Sequence, residues 1–100
     1  MAHRHYTTQI ETTATAIIGT EYPGFILKNT GSGTVYIGDS NVVATANDIK
    51  QGYPLDSGDV LEFSYDDTKS LTGKTDDRLY GIVSNSHSHI TCLVKGRVLN

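Results

Sequence analysis

This sequence predicts an all-β fold: an antiparallel β-sandwich, Greek-key or jelly-roll-like, of about six or seven short strands. Three observations lead there. Short runs rich in Val, Ile, Thr and Tyr alternate apolar with polar residues. Clusters of Gly, Asn, Asp and Ser interrupt these runs about every ten residues, as turns between strands would. No segment keeps a helical apolar period for long, the nearest being Val42 to Ile49, which has room for one turn. A chain of 100 residues with 37% hydrophobic content makes one thin core, as in two packed layers.

Residues 1–19 are rich in Thr and Ala and alternate loosely from Ile10 to Ile18, so they read as an N-terminal arm or first strand, with the sandwich in 20–100. Tyr22-Pro23-Gly24 is a turn. FILKN at 25–29 is the first convincing strand, with Phe25 and Leu27 on one face and Ile26 and Lys28 on the other. NTGSG at 29–33 then reverses the chain into TVYIG at 34–38, so 25–38 reads as a hairpin. VVATA at 42–46 is a short strand or extended edge.

QGYPLDSGD at 51–59 carries two Gly and a Pro and reads as a surface connection. VLEFSY at 60–65 alternates again, Leu61, Phe63 and Tyr65 sharing one face. The polar stretch 66–77 has the length of a protruding loop or weak hairpin. RLYGIVS at 78–84 and HITCLVKGRVL at 89–99 flank a turn at Asn85-Ser86 and read as the terminal hairpin.

Charge and composition narrow the function. Eight basic and eleven acidic residues give a formal net charge of −3, with no basic run to follow a phosphate backbone, so nucleic acid is not an expected partner. No stretch has the length of a membrane span, and the start MAHRHYTTQIE lacks the apolar segment of a signal peptide. The lone Cys92 excludes an internal disulfide framework, and the alternation ITCLV places it with Ile90 and Val94 as a core residue.

The chemical motifs are sparse. His3-Arg4-His5 and His87-Ser88-His89 have the i, i+2 spacing that puts two imidazoles on one face of a strand, where a transition metal could take both. An exposed turn and a terminus account for them more simply, so no metal is assigned. Asp66-Asp67 and Asp76-Asp77 match no calcium-loop spacing, and Lys69, Lys74 and Arg78 stand near enough to neutralise them. Neither a nucleophile elbow nor a phosphate-cradling glycine loop is present, and the expectation is a non-catalytic protein without cofactor.

A thin core and a Thr-rich arm would gain most from burial against neighbours. Tyrosine is an amphipathic interface anchor. The expected partner-binding residues are therefore Tyr6, Thr7, Ile10 and Thr12 of the arm with Tyr22 and Tyr53.

The order FILKNTGSGTVYIG, QGYPLDSGDVLEF, RLYGIVS and a closing strand ending GRVL resembles a small β-sandwich domain of tailed-bacteriophage structural proteins, over roughly residues 20–99. The matching elements are Lys28-Asn29, Val35 to Gly38 and Gly52 to Leu55, while the acidic loop at 66–77 departs from the family's short connection. Domains of this kind occur in head decoration and head-fibre proteins and in neck and tail parts. The resemblance implies a virion protein made in the host cytoplasm. Its favoured role is a capsid decoration or cement protein that binds the major capsid protein at subunit junctions as a homo-oligomer, a trimer being the natural unit where capsid subunits meet in threes. A neck, tail or fibre component is the alternative. There the resemblance to trimeric phage spikes, which hold iron with one His-x-His per chain, would give His87 and His89 a role. A carbohydrate-binding module using the loops at 39–41 and 66–77 is a third reading.

Overall fold

The computed structural model describes residues 4–20, 24–63 and 78–94, and over these the chain is all-β, in eight strands forming two four-stranded antiparallel sheets. In chain order they are β1 (Arg4–Ile10), β2 (Thr15–Ala16), β3 (Phe25–Asn29), β4 (Val35–Gly38), β5 (Tyr53–Leu55), β6 (Val60–Phe63), β7 (Tyr80–Ile82) and β8 (Ser88–Val94). The first sheet runs β1-β8-β3-β6 and the second β2-β7-β4-β5. Strand β1 pairs with β8, β2 with β7, β3 with β6 and β4 with β5. That is one long hairpin, folded at the β4–β5 connection and rolled up. The β3–β8 and β4–β7 pairings close the roll. This is the jelly-roll form of sandwich.

Alternation sets the core. Phe25, Leu27, Ile90, Cys92 and Val94 point inward from the first sheet, and Val35, Ile37 and Leu55 from the second. Leu61 and Phe63 pack against this cluster, with the Phe25 and Phe63 rings 4.9 Å apart between centroids. Gly81 also faces inward. A Cβ there would meet Val35 at 3.0 Å and Ile10 at 3.4 Å, so any side chain would force these neighbours to shift by a few tenths of an ångström.

The structure departs from the sequence-based strand pairing in four places. Residues 25–38 and 80–94 are not hairpins, because in each case the two strands belong to opposite sheets and the turn carries the chain across the sandwich. The first crossing is fixed by Asn29, buried between the layers: its amide donates to the Gly33 and Leu55 carbonyls, and its oxygen accepts from the Gly31 N–H and the Ser88 hydroxyl. Segment 51–59 is not merely a connection, since it contains β5. Pro54 is accommodated because β5 is an edge strand, where a nitrogen without hydrogen forfeits no ladder bond. Segment 42–46 contributes a single parallel bridge, Val43 to Gln51, in place of a strand.

The first twenty residues, expected as an arm or first strand, supply β1 and β2. Strand β1 pairs with β8 from Arg4↔Val94 to Ile10↔Ser88, and Ile10 and Ile17 are fully enclosed in the core. The predicted loop 66–77 lies outside the described residues, as do His3, Tyr22 and Tyr65.

Candidate interaction surface on the second sheet

The two sheets present different outer faces. In the first, the outward residues are His5, Thr7 and Gln9 on β1, His89, Thr91 and Leu93 on β8, Ile26 and Lys28 on β3, and Val60 and Glu62 on β6. It is mostly polar. The Thr91 hydroxyl shares hydrogen bonds with Thr7 at 3.1 Å and Thr30 at 3.2 Å. In the second sheet the strands TA, VYIG, YPL and YGI contain no charged side chain at all. Their outward positions hold Ala16, Tyr36, Gly38, Pro54, Tyr80 and Ile82, an aromatic and apolar face.

Part of that face is capped by the chain itself. The β4–β5 connection, residues 39–52, folds back so that Val42 sits on Gly38 and Gly52, and a Cβ on either glycine would come within 2.8 Å of it. Val42 and Ile82 are buried there, yet neither belongs to the main core cluster. Two aspartates shape the connection by accepting from the backbone two residues ahead: Asp39 from the Asn41 N–H and Asp48 from the Lys50 N–H, each at 2.8 Å. Asn47 takes the left-handed conformation, φ 64°, and its N–H donates to the Gln51 side chain. So braced, the connection holds Ile49 out with 98% of its surface in solvent, beside Tyr53 at 61%. One groove there is lined by Asp39, Val42, Ile49, Lys50 and Tyr53.

The expected partner-binding residues are dispersed. Tyr53 stands at the rim of this groove and Thr12 is exposed at another recess, with Val43 and Ile82. Thr7 is exposed on the opposite sheet. Ile10, placed among the partner-binding residues by the arm reading, is fully buried and serves the core instead. Tyr6 points inward beside Gly19 and is half-buried. The residue that sequence reasoning missed is Ile49, whose isolation among Asn47, Asp48, Lys50 and Gln51 is the one local signal of an exposed apolar side chain.

His87 and His89 are brought together, their rings edge-to-face with centroids 5.5 Å apart. Among the described residues no group of three or more His, Cys, Asp or Glu forms a metal-holding cluster. Asp39, Ser40 and Asn41 are exposed at the roll's tip, although a backbone N–H already engages the Asp39 carboxylate. Compared with protein-family models, curated proteins and solved structures, the chain matches none.

Proposed function

We propose that this protein is a structural component of a tailed-phage virion, a decoration or cement protein that seats on the outer head surface where major capsid protein subunits meet. The observation that carries the reading is the uncharged outer face of the second sheet, together with the exposed Ile49 and Tyr53 that border a groove at the roll's tip. Apolar side chains held in solvent, as Ile49 and Tyr53 are, gain free energy when a partner covers them. The strands of the second sheet bring no charges to desolvate, so docking on them costs less than docking on the first sheet, and Asp39 and Lys50 stand only at the groove by the roll's tip. A capsid lattice offers the same partner surface many times, and many modest contacts add through avidity. The jelly roll is compatible with this role, being shared by capsid and lectin domains. The role itself rests on the resemblance to phage head proteins together with this face.

The experiment is reconstitution. Virions encoded with this protein are purified and its copies counted by quantitative mass spectrometry, then particles lacking it are incubated with purified protein. The reading expects hundreds of copies, and binding weakened by at least about tenfold in Ile49→Asp and Tyr53→Asp variants that melt like the wild type. Six or twelve copies would move the protein to neck, tail or fibre. Its absence from the particle, with glycan binding lost on Tyr36→Ala or Tyr53→Ala, would replace the virion role with carbohydrate recognition.

A further inference from the structure

Among the described residues the first sheet ends at β1, and the hydrogen-bonding groups of that edge can be assigned. Thr30 N–H donates to the His89 carbonyl at 3.0 Å, so His89 turns its backbone groups toward β3 and away from β1. Gln9, opposite His89, is therefore in a non-hydrogen-bonded pair of the β1–β8 ladder, and by alternation so are Thr7 and His5. The N–H and C=O groups of His5, Thr7 and Gln9, all three exposed residues, consequently point away from β8. The close approach of the Thr7 and Thr91 hydroxyls fits a non-hydrogen-bonded pair, in which side chains stand nearest.

The other three edges are blunted. Strand β2 is two residues long, β5 carries Pro54 at its centre, and β6 is four residues long with a glutamate in it. Short length, proline and edge charge are the devices that keep a sheet from recruiting another strand. Strand β1 has no proline, no acidic residue and no bulge.

We propose that β1 is a dimerisation edge, at which a second copy of this chain adds its own β1 antiparallel to form one continuous eight-stranded sheet. The occupant is a second copy because β1 is self-complementary about Thr7. A two-fold axis there sets Thr7 against the partner's Thr7, and His5 against the partner's Gln9 and the reverse. Those three residues are the ones whose backbone groups face outward, so each pair exchanges two hydrogen bonds. No like charges meet across the axis. The outer face of the second sheet stays uncovered, so the dimer would present two docking patches. The inference stands independently of the virion reading. It replaces the trimer expected from capsid geometry with a two-fold unit.

The test is the mass of the full chain by light scattering across a concentration series, with three variants. The wild type should give about twice 10.8 kDa. Thr7→Pro removes an outward N–H and no β1–β8 bond, so it should raise the dissociation constant about a hundredfold or more while the melting profile of the monomer stays intact. Because proline in a strand can itself prevent folding, a charge pair supplies a second measure. His5→Lys with Gln9→Lys should dissociate the dimer at low salt, whereas His5→Glu with Gln9→Lys should restore it. A wild-type monomer at ~100 μM, a trimer, or a dimer indifferent to both charge pairs would overturn the proposal.

Discussion

The Ser88 hydroxyl donates a 2.9 Å hydrogen bond to the side-chain oxygen of Asn29, joining residues 59 positions apart in the chain at a site closed to solvent. Asn29 has two further donors and one further acceptance in use, so its amide is fully satisfied. One of those bonds reaches Leu55 in the second sheet, which makes Asn29 a polar rivet between layers. Asn29→Ala strands the Leu55 carbonyl, the Gly33 carbonyl and the Gly31 N–H, and should cost about 3 kcal/mol or more in urea unfolding. Ser88→Ala removes one bond while leaving Asn29 its Gly31 donor, and should cost about 1 kcal/mol. Equal losses in the two variants would contradict the rivet.

How the fold and the site were legible follows from that same residue. The alternation of Phe25, Leu27, Ile90, Cys92 and Val94 is a local pattern, and the burial of those side chains obeys it. Whether a turn closes a hairpin or crosses between layers is decided by contacts distant in sequence, here Asn29 with Leu55 and Ser88, and NTGSG turns the chain either way. For Pro54 the deciding fact is the edge position of β5, which only the assembled sheet defines. Tyr53 could be picked out as an aromatic anchor by residue type alone. The uncharged outer face could not, because Tyr36, Pro54 and Tyr80 become neighbours only when β4, β5 and β7 pair.

Two glycines of the same crossing should respond differently to alanine. At Gly31 a Cβ would collide with the Ser88 side chain and lie 2.7 Å from the His89 nitrogen, which is backbone of a paired strand and cannot give way. At Gly33 nothing lies within 4 Å, and the only penalty is the left-handed backbone, φ 81°. Gly33→Ala should therefore cost about 1–2 kcal/mol and Gly31→Ala distinctly more. Thermal melts that rank them the other way would show that the crossing is shaped differently.

Deleting residues 1–15 should abolish the fold and not merely weaken attachment to a partner. The deletion removes β1 and, with it, the fully buried Ile10, and exposes the inner edge of β8. Deleting residues 1–3 leaves every β1–β8 pair in place and should leave the melting temperature within about 2 °C of the intact chain, a shift worth a few tenths of a kcal/mol. A folded, cooperatively melting 16–100 fragment would show that β1 is an appendage.

The thiol of Cys92 offers a direct reading of core opening. It is fully buried between Ile90 and Val94 on β8, so a thiol reagent can reach it only when the sandwich opens. In the native protein labelling should run about a thousandfold or more slower than in urea. Gly19 controls the same place from the other side of the core. A Cβ there would stand 3.0 Å from the Cys92 sulfur and 2.9 Å from the Tyr6 ring, on a backbone with φ 102°. Gly19→Ala must push β1 or β8 aside, and should therefore raise the native labelling rate in proportion to the stability it removes, about tenfold for each 1.4 kcal/mol. Labelling of the wild type at the rate of an exposed thiol would remove Cys92 from the core, and an unchanged rate in Gly19→Ala would separate segment 17–20 from the packing of β1 and β8.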